Sequence, residues 1–215
     1  MIILIAYCVM FVMSLLFTIY ISMSEKEYKR KNNKRKLTGC ELSHELLDTE
    51  NKDSYIILSK GESVYNSLRD TVKLDEDSFD ESTLYALVIS SLKTYEALDK
   101  KNKKHYNLRD KLSKILLYLV ILSYILLVLC VVFNDYSYGE ISLGIVVTVT
   151  LFDTYYYSLY KSNINTIVKT LKSNGLIDKD EVEDVTKLMS VEVLRPFTRL
   201  INVIREVFDQ IIPDA

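Results

Sequence analysis

The chain has 215 residues, 49% of them hydrophobic and 26% charged, which is more apolar than an ordinary soluble domain and requires the charges to be segregated. A net charge of −2 excludes an overall field that would draw the protein to nucleic acid, and Cys8, Cys40 and Cys130 are too few and too scattered for a disulfide framework. An integral membrane protein with one modest polar part is predicted.

Apolar residues collect in three blocks, 2–22, 115–133 and 141–160. Each comes near the roughly 20 residues that cross a bilayer as a helix, so three spans are expected. The first block has no basic segment before it and no small-x-small cleavage site after it, which predicts a retained signal anchor. Behind it stand Lys26, Lys29, Arg30, Lys31, Lys34, Arg35 and Lys36, a cluster dense enough to be held on the cytoplasmic side. Lys29, Arg30, Lys31, Lys34, Arg35 and Lys36 are expected to contact lipid headgroups there. The N-terminus then lies outside, and a second basic cluster, Lys100, Lys101, Lys103, Lys104, Arg109 and Lys111, agrees.

In the polar part, Thr38 and Glu41 fit a capping box, and Leu42, Leu46 and Leu47 give the inward face of a helix over 38–48. The short β-rich runs 55–58 and 71–74 predict a small hairpin or an edge pairing. From Ser82, taken as an N-cap, Leu84, Leu87, Val88, Leu92, Tyr95 and Leu98 trace a helical stripe that runs on to the second basic cluster. Beyond the third block, Ile164 to Leu171 give a helical face ended by Asn174-Gly175, and a further helix starts near Asp178. Its stripe runs to Val207, Phe208 and Ile211 with Arg195, Arg199, Arg205, Glu206 and Asp209 opposite, an amphipathic pattern suited to a membrane surface or a partner, with Pro196 expected to kink or split it.

Several blocks fall in the order and spacing of a known family. Thr38-Gly39-Cys40-Glu41-Leu42 with Leu47-Asp48, Thr71-Val72-Lys73-Leu74, Leu143-Gly144-Ile145, and Leu171-x-x-x-Gly175-Leu176-Ile177-x-x-x-Glu181-Val182 with Lys187-Leu188 together resemble the bacterial neutral zinc membrane peptidases of the YugP-like type. The resemblance implies a zinc-binding H-E-x-x-H on the long helix, because histidines at i and i+4 share a face on which the metal and an activated water sit. Here that frame reads Leu92, Lys93 and Glu96, and sliding it by one gives Ser91, Leu92 and Tyr95. The family's third ligand falls between Tyr160 and Ser162. Neither register supplies a histidine, and a lysine stands where a dication would bind, so zinc is predicted absent and the chain is read as a pseudopeptidase.

The only histidines are His44 and His105. Cys40 and His44 are one helical turn apart, but the sequence offers no third partner and the pair reads as a solvated surface. Asp153 is the single carboxylate in the third block, costly at membrane depth and therefore a candidate functional residue. The expected architecture is mainly α with three transmembrane helices. An anchor occupies 1–23, a cytoplasmic α(+β hairpin) domain 24–111, a transmembrane hairpin 112–161 and an amphipathic cytoplasmic tail 162–215. The expected function is a scaffold or regulatory partner at the cell membrane, touching lipid and either a membrane protein or another copy of itself. The alternatives are a small membrane-perturbing or channel-forming protein, suggested by Thr148, Thr150, Asp153 and Thr154, and a metallopeptidase with an atypical site.

Overall fold

The computed structural model describes the backbone of residues 2–211 and the side chains of residues 3–205. The chain is mainly helical, in the order α1 (Ile2–Tyr28), α2 (Gly39–Thr49), β1 (Tyr55–Leu58), β2 (Val64–Asn66), β3 (Thr71–Leu74), α3 (Glu76–Phe79), α4 (Leu84–Leu98), α5 (Lys103–Phe133), α6 (Tyr136–Ser173), α7 (Val182–Glu192), a 3-10 turn (Arg195–Thr198) and α8 (Arg199–Ile211). It folds as two compact units. An apolar unit comprises Met1–Ile21, Leu112–Tyr160 and Val193–Ala215, and a polar unit comprises Ser22–Lys111 and Lys161–Glu192.

Two helices, over Ile3–Tyr28 and Lys103–Phe133, are long and apolar enough to cross a membrane. Within the apolar unit, Tyr7, Leu116, Val120, Val146 and Val149 form a core in which Leu200 and Val203 of α8 are also buried. Hydroxyls link its helices: Tyr7 Oη lies 3.1 Å from Ser123 Oγ, and Ser142 Oγ donates to the Ser123 carbonyl at 2.7 Å. Such bonds fix the helices against one another with a specificity that apolar contacts alone do not supply. Pro196 splits the C-terminal stripe, because a proline at the start of a turn is tolerated while one inside a helix is not. Val207, Phe208 and Ile211, with Glu206 and Asp209, lie outside the described side chains.

The polar unit starts from a strong local signal. Thr38 Oγ1 accepts from the Glu41 amide at 3.2 Å, and Glu41 Oε2 accepts from the Thr38 amide at 2.8 Å, closing the expected capping box on α2. Gly39 has a tertiary reason as well: a Cβ there would stand 1.8 Å from the Ser78 carbonyl oxygen. Leu47, Tyr65, Val72, Leu74 and Ala97 make the core over which the sheet packs.

The sheet corrects the hairpin expectation. The two expected strands do pair, but in parallel, Tyr55 with Thr71 through Leu58 with Leu74, and the intervening β2 is antiparallel to β3, giving the order β1-β3-β2. A 12-residue connection cannot close a tight hairpin between β1 and β3, and it uses β2 to return the chain. The long helix is also shorter than its stripe suggested. Its cap is Thr83 rather than Ser82, through the Ala86 amide at 3.1 Å, and it stops at Asp99, whose carboxylate takes the Asn102 amide (3.2 Å) and side chain (2.7 Å) before α5 begins.

Candidate functional site

The helix on which the sequence reading sets the family's motif, with Leu92, Lys93 and Glu96, is α4, and the chain holds it firmly. Asn33, nearly inaccessible, donates its amide and its side chain to the Ser82 carbonyl, while the Leu84 amide donates to Lys31 at 2.7 Å. On the face toward α2, Thr94 Oγ1 donates to Ser43 Oγ at 2.9 Å, and the buried Ser90 and Ser91 hydroxyls return to carbonyls one turn back. These hydroxyls are spent inside the helix and its packing.

Leu92 is buried. Glu96, with a side chain only 1% exposed, sits between two cations: Lys93 Nζ donates to Oε1 at 3.2 Å, and Arg109 Nη1 of α5 lies 2.7 Å from Oε2. The guanidinium also reaches Asp110 Oδ1 at 2.8 Å and donates to the Tyr65 carbonyl at 3.3 Å, and Asp110 Oδ2 accepts from the amide (3.1 Å) and hydroxyl (2.7 Å) of Ser67. Lys93, Glu96, Arg109 and Asp110 thus form one alternating charge row, and a buried carboxylate without such partners would cost several kcal/mol. The sequence singled out Lys93 and Glu96. It missed Arg109 and Asp110, whose signal was a charge pair opening an otherwise apolar span.

Next to Glu96 on α4, Tyr95 hydrogen-bonds Thr166, and burial with the nearby Asp99 charge pushes its phenol up from the ordinary tyrosine range. Asn163 Nδ2 reaches Asp99 Oδ2 at 3.3 Å and Tyr106 Oη at 3.2 Å. In this unit the residues of α6 just past Tyr160 therefore meet the end of α4 and the start of α5 through side-chain hydrogen bonds. Tyr160 itself is half-buried in the apolar unit, and Lys161 and Ser162 are exposed.

The family description "Putative neutral zinc metallopeptidase" matches residues 2–194. The chain belongs to this family. No curated protein and no solved structure matches it. Family membership implies zinc, and the donors present do not fit it: α4 offers the one carboxylate of Glu96, already engaged by an ammonium and a guanidinium, and metal affinity requires donors free of competing cations. His44 is exposed on α2 and His105 sits on α5. Among the described residues no three His, Cys, Asp or Glu side chains converge. Cys40, half-buried, has its thiol pushed up by burial and by the Asp80 and Glu41 charges, the opposite of an activated nucleophile.

The blocks that carried the resemblance are framework pieces. Gly175, at φ +66°, ends α6 in a left-handed cap in which the Leu176 amide donates to the Leu171 carbonyl (2.8 Å) and the Gly175 amide to Lys172 (3.1 Å). Glu181, largely buried, accepts from the amides of Lys34 (2.8 Å) and Asp178 (3.0 Å).

The basic cluster is only partly free of ion pairs. Lys29 pairs with Asp77 and stands over the Tyr85 ring, Lys31 pairs with Glu27 (2.8 Å) and Asp184 (3.6 Å), and Lys34 pairs with Asp180, while Arg30, Arg35 and Lys36 are exposed. In the apolar unit Asp153 is buried, and Arg199 holds it with a fork, Nη2 at 2.9 Å and Nε at 3.2 Å from Oδ1. Sequence reasoning placed Arg199 on a polar helix face, although a lone carboxylate in an apolar block itself calls for a cation. The hydroxyls of Thr148, Thr150 and Thr154 each donate to the carbonyl four residues back.

Proposed function

We propose that this chain is a non-catalytic member of the neutral zinc metallopeptidase family, an integral membrane protein that binds and positions a partner. The observation that carries the reading is Glu96, the one carboxylate among the motif positions, neutralised by Lys93 and Arg109 where a peptidase would keep donors for a metal and a base for water. Without a metal or a free base, α4 retains packing and recognition.

Block 141–160 of α6 is the third span in this reading, supported by the hydroxyl links through Tyr7, Ser123 and Ser142. The two basic clusters favour an external N-terminus with the polar unit in the cytoplasm, where Arg30, Arg35 and Lys36 contact headgroups. The partner is another membrane protein or a second copy of the chain. Purified protein in detergent is expected to hold no stoichiometric zinc and to leave a casein substrate uncut. One zinc per chain with chelator-sensitive cleavage would overturn the reading.

A further inference from the structure

The turn that joins β2 to β3 leaves Leu68 66% exposed, with Arg69 exposed beside it. A single exposed leucine is ordinary, but this one is held rigidly and at a defined place. Asn66 Oδ1 accepts from the Leu68 and Arg69 amides, both at 3.1 Å, and the Thr71 hydroxyl donates to the Arg69 carbonyl at 3.0 Å. Ser67 is buried and ties the turn to Asp110 of α5 through its amide and hydroxyl. At the other end of the turn, Asp70 Oδ2 lies 3.8 Å from Lys103 Nζ. The turn therefore runs along α5, with Ser67 and Leu68 at the end nearer the apolar block 115–133. That helix is unbroken to Phe133, and Ile115 follows Asp110 by five residues, about 7.5 Å at the rise of an α-helix. A headgroup zone is about 5–7 Å deep on each side of a bilayer. Where α5 crosses, Asp110 and the turn bound to it stand at headgroup level, and the exposed Lys111 and Lys114 mark the same zone.

We propose that the β2–β3 turn is a membrane-contact element. Leu68 enters the boundary between the headgroups and the acyl chains of the bilayer that α5 crosses, and Arg69 meets lipid phosphate. An apolar tip next to a cation suits that boundary, since the leucine gains by leaving water while the guanidinium stays among anionic oxygens. The Asn66 and Ser67 bonds hold the turn in this shape beforehand, so little ordering is left for the contact itself to impose. The sheet thereby has its own hold on the lipid.

The inference rests on the reading of α5 as a span, and the experiment separates the two. Full-length protein with Cys8, Cys40 and Cys130 replaced by alanine is reconstituted into vesicles of phosphatidylcholine and phosphatidylglycerol, and an environment-sensitive fluorophore is attached through Leu68→Cys, Ile115→Cys or Lys60→Cys. Ile115 reports the span. Lys60 is exposed and precedes β2, whose far end leads into the turn, so it reports the opposite end of the sheet. The Leu68 label should emit to the blue of the Lys60 label. Lipids carrying a nitroxide at the headgroup or at the top of the acyl chain should quench it, as they quench the Ile115 label, and should leave the Lys60 label bright. Arg69→Glu should weaken the quenching at Leu68 and not that at Ile115. A Leu68 label in water beside a quenched Ile115 label overturns the proposal and leaves the span standing, whereas an Ile115 label in water overturns both. A blue-shifted Leu68 label that no lipid nitroxide reaches would mean that protein covers the turn. That result, equal quenching at Lys60, or quenching at Leu68 indifferent to Arg69→Glu would each overturn the assignment.

Discussion

Glu96 and Arg109 stabilise the polar unit only as a pair. Arg109→Leu leaves a buried carboxylate with Lys93 alone and should cost about 3–5 kcal/mol, whereas Glu96→Leu together with Arg109→Leu should recover much of that loss. Thermal unfolding of the detergent-solubilised chain reads both. Asp70 is the second residue to examine. It adopts φ +49° at the turn into β3 and collects Tyr65 Oη (2.5 Å), Lys52 Nζ (3.0 Å) and Lys103 Nζ (3.8 Å). Partial burial opposes ionisation, but those bonds and charges outweigh it and hold the Asp70 carboxyl below the ordinary aspartate range. A depressed carboxylate stabilises the fold above its unfolded value, about 3.9, and loses that contribution as the pH falls further. The stability gap between wild type and Asp70→Asn should therefore be constant at neutral pH and close below about pH 4. A gap that widens in acid would contradict the assignment.

At the scale of elements, the glycines make a graded pair of tests. Gly39→Ala drives a methyl into the Ser78 carbonyl and should prevent α2 from seating on α3, while Gly175→Ala strains only one left-handed residue and should cost about 1 kcal/mol, both read by thermal melts. The ion pair on α8 gives another. Asp153→Leu strands Arg199 and should loosen α8, raising proteolysis after Thr198, and Asp153→Leu with Arg199→Leu should restore protection. The same elements show what could be read in advance. The box at Thr38 and the cap at Gly175 were legible because every residue that makes them lies within six positions. The parallel pairing of β1 with β3 was not, since strand direction is decided by where the chain goes between the strands and Val64-Tyr65-Asn66 is too short and mixed to announce itself. The basic run at 26–36 was read as lipid-facing because, Glu27 apart, its acidic partners, Asp77, Asp180 and Asp184, lie tens to over a hundred residues away. Arg109, like Arg199, looked like part of a charge pattern and proved to be the counter-ion of a buried carboxylate.

At the scale of the molecule, family membership and the proposed lack of a metal site are compatible because they rest on different residues. The matching blocks cap helices, pin connections and admit close backbone approach, and a chain keeping them keeps its shape whether or not α4 does chemistry. One arrangement already described bears on how the protein is made. The polar unit is discontinuous, and its closing contacts, the Lys34 amide on Glu181 and the Tyr28 hydroxyl on Asp184 (3.1 Å), join segments separated by some 150 residues of chain. During translation the first part must therefore wait, with Asn33, α2 and the sheet already outside the ribosome, until α5 and α6 have been made and α7 has emerged. Over that interval the face of α4 that α7 will cover is open to solvent and to chaperones, so the time taken to make α5 and α6 sets how long this protein stays unfinished.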